Sequence, residues 1–143
     1  MDAIKLLTSD HDTVRGLFDD FKKAKEADNT DRMREIQKKI FSEIDTHARI
    51  EEEIFYPAVR ELGVDDLTEV VAEGIQEHHV VKVLMREIEQ VSGDETFASK
   101  MAVLIENVEH HAEEEEKEMF PDLRKHMDDA QLDELGSKLE AAK

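Results

Sequence analysis

Four long segments of this chain place apolar side chains at intervals of three and four residues, the spacing that gives a helix one apolar face. These stripes run over residues 4–21, 33–58, 67–88 and 101–119. Breaks with helix-capping side chains separate them at Thr30 and at 92–94, and Gly63 closes the second segment. Short connections make successive helices antiparallel neighbours. The pattern predicts an all-α fold, an up-down-up-down four-helix bundle, with a short fifth helix from about 129 to 139.

The amino-acid composition agrees with an all-α fold and argues against some classes of binding partner. The chain of 143 residues is of ordinary size for one domain, here residues 1–143, and contains only five Gly and two Pro. A net charge of −18 argues against nucleic acid or an anionic membrane surface as a partner. Without Cys there is no disulfide and no thiolate metal site. No secretion signal or apolar run of about 20 residues is evident, so we expect a cytoplasmic protein, monomeric or weakly homo-oligomeric.

One motif occurs twice. In each copy a His stands ten residues before a Pro and a Glu stands six residues before it, namely His47, Glu51 and Pro57, then His111, Glu115 and Pro121. Two further His, His11 and His78, open matching His-x-x-Val-x-x-Leu phrases upstream. Every apolar stripe therefore carries one His, and two stripes also carry a Glu one turn later on the same helix face.

These six residues favour a metal site over a set of ordinary core side chains. A single His on an apolar stripe is usually a core His, but a carboxylate facing a core costs several kcal/mol unless it is protonated, paired or metal-bound. No Lys or Arg lies on the inner stripes to pair with them. Counting helix rise places all six at one level of the bundle. Imidazole and carboxylate without thiolate suit iron or manganese, and six ligands suit two ions.

At this point the chain resembles the hemerythrin-like (HHE cation-binding) family, over nearly its whole length from His11 to Pro121. Both His-x-x-x-Glu units with their downstream aromatic-Pro are family motifs. The resemblance implies a four-helix bundle with a non-haem di-iron centre, two iron ions joined by an oxo or hydroxo bridge. By position, the terminal iron ligands would be His11, His47, His78 and His111, and the bridging ligands would be Glu51 and Glu115. The same ligand set accepts manganese.

One departure from the oxygen-carrying members bears on function. Those proteins have a second His four residues after the third-helix His, where this chain has Lys82, and an Asp five residues after the fourth-helix His, where this chain has Glu115 at four. An open or exchangeable position on each iron would then be expected. The resemblance is to a bacterial subgroup associated with hydrogen peroxide and nitric oxide. We expect catalase-like peroxide decomposition or nitric oxide detoxification; the alternatives are reversible dioxygen binding, storage or sensing, and a metal-free structural bundle.

Other polar residues are interpreted more plainly. The repeat and the stripes select His78 over His79 and His111 over His110, and His126 is expected at the surface. Most Glu residues of the acidic runs 51–53 and 113–116 are expected to form a solvated face, with only Glu51 and Glu115 in register. Lys82 is expected to extend outward, the alternative being a positive charge near the vacated ligand position.

Tyr56, the candidate catalytic residue, would point about 180° from His47 on an ideal helix and simply pack. Pro57 distorts the preceding turn, however, and could swing the phenol inward. There it would hydrogen-bond a bound oxygen or donate an electron. Both interpretations stay open on the sequence.

Overall fold

The computed structural model describes residues 1–143 and contains helices only, which confirms the all-α prediction. The α-helices are α1 (Ala3–Glu26), α2 (Thr30–Ile50), α3 (Tyr56–Glu61), α4 (Asp65–Gln90), α5 (Asp94–Glu114), α6 (Phe120–Leu123) and α7 (Asp129–Ala142). Two π-helical turns, π1 (Glu51–Phe55) and π2 (Glu115–Met119), join α2 to α3 and α5 to α6 without a break. Four long rods result, formed by α1, α2–π1–α3, α4 and α5–π2–α6, with α7 packed against α1.

The two π turns lie where the repeated motif has its Pro. Proline has no N–H, so Pro57 cannot donate the α-helical hydrogen bond to the carbonyl four residues earlier. The turn before it is widened instead, and the Tyr56 N–H donates to the Glu51 carbonyl five residues earlier. The Phe120 N–H donates to the Glu115 carbonyl in the same way. Each π turn therefore begins at a Glu of the repeated motif.

Helix ends follow local side-chain chemistry. Asp2, Asn29 and Asp128 each accept a hydrogen bond from a backbone N–H in the first turn of α1, α2 and α7. The cap of α2 is thus Asn29, and Thr30, expected at the break, is its first helical residue. Gly63 follows α3 with φ of 67°, a left-handed conformation that glycine adopts without a steric penalty.

The interior of the bundle is divided into two apolar clusters with a polar layer between them. One cluster contains Leu7, Ile50, Phe55 and Phe120 and is covered by Leu132, Leu135 and Leu139 of α7. The other contains, among others, Phe18, Ile40, Met85 and Met101 and fills the end of the bundle where α1 joins α2. The buried polar residues are Asp10, His11, Gln37, Glu51, His78, His111 and Glu115. Except for Gln37, these residues are the repeated His and Glu or lie beside them in sequence.

No helix of the protein combines the length and the apolar character needed to cross a bilayer.

Candidate metal centre

The structure brings the six residues of the repeated motif together in two groups of three. One group is His11, His47 and Glu115, and the other is Glu51, His78 and His111. Within each group the potential ligand atoms lie within 4.8 Å of one another. Each group has two imidazoles and one carboxylate, a donor set typical of non-haem iron sites with open positions.

The two carboxylates lie between the groups. Glu51 Oε1 is 3.1 Å from His78 Nε2 and 3.2 Å from His47 Nε2, so it contacts an imidazole of each group. Glu115 Oε1 is 3.1 Å from His11 Nε2, and its Oε2 is 3.5 Å from His111 Nε2. Both carboxylates begin a π turn, which aims them from opposite rods into the same layer.

Each of the four imidazoles turns its other nitrogen to a carboxylate outside the layer. These Nδ1 contacts are His11 with Glu116 at 2.7 Å, His47 with Asp10 at 2.9 Å, His78 with Glu52 at 3.0 Å and His111 with Glu77 at 2.7 Å. A carboxylate accepts, so it places the proton on Nδ1 and leaves the Nε2 lone pair facing inward. Carboxylate–histidine pairs of this kind orient the imidazole ligands of protein-bound metals.

A cation is needed to satisfy this arrangement. When both imidazoles are neutral with their protons on Nδ1, the lone pairs of His78 Nε2 and His111 Nε2 face each other at 3.2 Å, and a proton or a metal ion between them removes this repulsion. Two atoms of the layer, His47 Nε2 and Glu51 Oε2, are fully buried and make no hydrogen bond within the protein. Nitrogen and carboxylate oxygen donors converge here without a protein cation among them, so the residues present fit a pair of metal ions.

The electrostatics of the layer favour positive charge. Burial alone would lower the pKa of His47, but Glu51 and Asp10 outweigh it and raise that pKa to about 10. Burial opposes ionisation of Glu51, yet the charge of His47 and hydrogen bonds from the neighbouring imidazoles hold the Glu51 pKa well below its usual range. The pKa of His111 is raised well above its usual value because Glu115 overcomes the effect of burial. A positive charge is therefore stabilised at the imidazoles, by a proton or by a metal ion.

Tyr56 lies inside this layer. Its hydroxyl donates to Glu115 Oε2 at 2.9 Å and lies 3.2 Å from His111 Nε2. The π turn explains the orientation, because one extra residue in the turn changes the rotation relative to His47 by about 100° from that of a regular helix. Burial, followed by the charges of Glu51 and Glu115, raises the pKa of the Tyr56 hydroxyl well above its usual value, so the phenol keeps its proton.

The residue equivalent to Tyr56 in the second copy of the motif is Phe120. Its ring stacks on His11, with ring centroids 6.1 Å apart and planes 9° apart. The imidazole of His11 therefore meets an apolar ring, whereas the imidazoles of His78 and His111 meet the Tyr56 hydroxyl, which lies 3.4 Å from His78 Nε2 and 3.2 Å from His111 Nε2. The two groups contain the same types of ligand, two His and one Glu each, but differ in the aromatic residue that contacts their imidazoles.

A cavity of about 50 Å³ adjoins the imidazoles on the side facing the second apolar cluster. Its apolar wall is formed by Val14, Phe18, Ile44, Ala48, Val81, Val108 and Ala112. One water molecule needs roughly 10–15 Å³ of such volume, so the cavity has room for a molecule of two to four atoms. All four repeated His line it.

The other His residues and the acidic runs differ in their exposure to solvent. His79, His110 and His126 are exposed, as expected. The expectation that the acidic runs form a solvated face beyond Glu51 and Glu115 was wrong for Glu52 and Glu116, which are half-buried and bond imidazoles. A further, partly exposed group of possible ligands is formed by Glu77, His110 and Glu114.

Sequence reasoning missed the four carboxylates that hold the imidazoles. A signal was present, because each is the sequence neighbour of a repeated residue: Asp10 precedes His11, Glu77 precedes His78, Glu52 follows Glu51 and Glu116 follows Glu115. Each nevertheless bonds an imidazole of a different helix, so the pairing appears only in three dimensions.

Comparison with known proteins gives matches along nearly the whole chain. The hemerythrin HHE cation binding domain matches residues 2–123. An uncharacterized protein of Mycobacterium tuberculosis is 32% identical over 99% of this chain and 84% of its own length. An uncharacterized hemerythrin-like protein of Schizosaccharomyces pombe is 25% identical over 90% of this chain and 64% of its own. A DNA nickase of Nostoc is 26% identical over 100% of this chain, which corresponds to 39% of the nickase. No solved structure matches.

Proposed function

This chain belongs to the hemerythrin HHE cation-binding family, and from that membership we propose that it is a non-haem di-iron protein that reacts with small oxidants. The family and the two buried His/Glu groups support a metal-binding protein. The finer proposal is that His11, His47, His78 and His111 are terminal ligands and that Glu51 and Glu115 bridge two iron ions. Manganese would suit the same donors.

The observation that carries the proposal is the outward pairing of all four imidazoles with carboxylates. A core His needs only one partner, and nothing in a metal-free bundle requires four Nδ1 atoms bonded outward and four Nε2 atoms turned to one layer. His47 Nε2 and Glu51 Oε2 are buried without a hydrogen bond, and a metal ion would satisfy the lone pairs of both atoms. Iron held there would supply a two-electron redox couple, cycling between diferrous and diferric states.

The site leaves room for a substrate. Lys82 occupies the position of the extra His of the oxygen carriers, and its ammonium is engaged by both carboxylate oxygens of Glu52 at 2.8 Å. It therefore adds no ligand, and the residues that would hold the metal ions would leave room beside them for a small molecule. The adjoining cavity is of the size of hydrogen peroxide, nitric oxide or dioxygen.

Hydrogen peroxide decomposition is the preferred activity because its balance needs no separate reductant. One molecule is oxidised to dioxygen, losing two electrons and two protons, and a second is reduced to two water molecules. Tyr56 holds a proton at its hydroxyl beside Glu115 Oε2, and we propose that it donates hydrogen bonds or protons to the substrate during this exchange. The apolar cavity wall limits the entry of bulk water. Nitric oxide turnover would need an external electron donor or acceptor.

Reversible dioxygen binding is the second candidate. The apolar wall of the cavity favours it, because dioxygen is apolar and peroxide is not. One measurement distinguishes the two candidate functions. A carrier gives an oxygenated species whose charge-transfer absorption disappears on deoxygenation, whereas a peroxide-decomposing enzyme evolves dioxygen catalytically from peroxide.

The first experiment measures iron and manganese per chain in protein from iron-supplemented cells, for the wild type and two neighbouring variants. His78→Ala removes a proposed ligand, and His79→Ala removes the exposed His beside it. We expect two metal ions per chain in the wild type and in His79→Ala, and at least one fewer in His78→Ala. A wild type without transition metal after anaerobic ferrous loading, or equal contents in both variants, would refute the proposed ligand set.

A further inference from the structure

We propose that Arg15 and Lys82 are positioning residues that lock the imidazoles of His11 and His78 through the carboxylates of Glu116 and Glu52. The inference rests on the proposed metal site. It assigns a role to two cationic side chains that are not among the proposed metal ligands.

Each cation and each imidazole share one carboxylate. The Arg15 guanidinium contacts Glu116 Oε2 at 2.9 Å and Oε1 at 3.2 Å, while Oε2 also accepts from His11 Nδ1 at 2.7 Å. The Lys82 ammonium donates to both oxygens of Glu52 at 2.8 Å, and Oε2 also accepts from His78 Nδ1 at 3.0 Å. Two relays of cation, carboxylate and imidazole result.

The relays are copies of each other under the internal repeat. Arg15 stands four residues after His11, and Lys82 stands four residues after His78. Their carboxylates stand one residue after the two bridging Glu. The same contacts thus occur twice at equivalent positions, although the cation is Arg in one copy and Lys in the other. Surface ion pairs formed by chance would not follow the repeat.

The physical reason for a cation lies in the exposure of the carboxylates. Glu52 and Glu116 are half-buried, so without a second partner each could rotate toward solvent and release its imidazole. The cation contacts both oxygens of the carboxylate and so holds it in place against the imidazole. An oriented imidazole holds its metal longer than one free to turn.

The test compares Lys82→Ala with Lys100→Ala. Lys100 makes an ion pair of the same length, 2.8 Å, with Glu87, and its exposure of 31% is close to the 39% of Lys82, but it lies away from the site. The measurement is the rate at which iron-loaded protein loses metal to a chelator, followed by the ligand-to-metal absorption, with the unfolding temperature of chelator-treated protein measured in parallel.

We expect Lys82→Ala to lose metal about 10-fold faster than wild type and Lys100→Ala to match wild type, with similar unfolding temperatures for the two chelator-treated variants. Lys82→Arg should restore slow loss. Because both act in one relay, Glu52→Gln combined with Lys82→Ala should lose metal no faster than Glu52→Gln alone. Should Lys82→Ala not fold, Lys82→Met retains the apolar stem, and Arg15→Met tests the other relay by removing its cation.

Equal rates of metal loss in the Lys82 and Lys100 variants would overturn the inference while leaving the metal site intact. A wild type that binds no metal would overturn both. Because the readout is metal release, a loaded protein without turnover of any oxidant still tests the relays.

Discussion

Gly74 and Leu7 occupy the same place in the two repeats, four residues before His78 and His11. Leu7 is fully buried in the apolar cluster that also contains Phe120. Gly74 leaves space instead, because a Cβ placed there would lie 3.0 Å from the Tyr56 hydroxyl and 3.3 Å from His111 Cε1. The absence of a side chain at Gly74 therefore leaves space for the Tyr56 hydroxyl beside the imidazoles of His78 and His111.

Replacing Gly74 with Ala should push the Tyr56 hydroxyl away from Glu115 without removing any proposed ligand. We expect iron content to stay at the wild-type level and peroxide turnover to fall by roughly 10-fold or more, toward the level of Tyr56→Phe, since loss of a positioned proton donor typically costs about 100-fold. Dioxygen evolution per iron is the measurement.

Gly16→Ala is the matched control, because Gly16 is also helical, is exposed, and has nothing within 4 Å of the added methyl group. This variant should gain up to about 1 kcal/mol in free energy of unfolding through helix propensity and keep full turnover. If Gly74→Ala turns over peroxide as fast as Gly16→Ala, the hydroxyl has no part in the reaction.

At the residue scale, the sequence was sufficient to identify the repeated His and Glu residues, but not the carboxylates that bond their imidazoles. The six repeated His and Glu could be selected because each lies on an apolar stripe, where a polar side chain needs an explanation. Glu52 and Glu116 lie one residue, about 100°, from the stripe and look solvated on a helical wheel. Their partners belong to other helices, and the rotation of one helix against another is set by packing that no single stripe reveals.

At the scale of elements, the π turns are the main departure from regular geometry. A π turn contains one residue more than the α turn it replaces, so the helix before it and the helix after it keep separate registers. Here α2 keeps the register that aims His47 inward, and α3 takes the register that buries Tyr56. The wheel could not decide the orientation of Tyr56 because it assumes one register throughout.

Deleting Glu53, an exposed residue of π1, should convert the wide turn to an α turn while leaving both flanking registers in place. We expect the variant to fold and to bind metal, but to unfold about 10 °C below wild type, because Pro57 then stands inside an α-helical turn, which costs about 3 kcal/mol. Calorimetry and metal analysis measure the outcome.

Deletion of Ser42, also exposed but within the α-helical part of α2, is the control. It rotates His47 and Glu51 by about 100° against the residues before them, so metal binding should be lost. Equal damage from both deletions would mean that π1 does not act as a separate insertion.

At the scale of the whole molecule, a layer of buried polar groups separates two apolar clusters in a protein of net charge −18. Repulsion among surface carboxylates lowers the stability of every form and is screened by salt. The layer is buried, so salt screens its interactions far less. The helix class and the order of the long helices were predicted from the stripes, and a common level for the six residues was predicted from helix rise. The division of the core into two clusters was not predicted.

Removing the metal should lower the unfolding temperature by on the order of 10 °C, because each site filled at 100 times its dissociation constant adds about 2.7 kcal/mol. Raising NaCl from about 0.1 to 1 M should raise the unfolding temperature of both forms and leave the gap between them unchanged, because the layer is buried. Differential scanning calorimetry of loaded and chelator-treated protein measures this. A gap that closes with salt would instead place the metal at a surface group such as Glu77, His110 and Glu114.

The contacts between imidazoles and carboxylates of different helices also show that each half of the chain depends on the other. His11 relies on Glu115 and Glu116, and His78 relies on Glu51 and Glu52, so neither helical hairpin contains a complete half-site. The chain therefore consists of two repeated hairpins of different sequence, with the site at the interface between them. A symmetric pair of identical hairpins would carry two Tyr or two Phe beside the layer. Because the two hairpins differ in sequence, this chain has one of each, Tyr56 and Phe120, and the two halves of the site can have different roles.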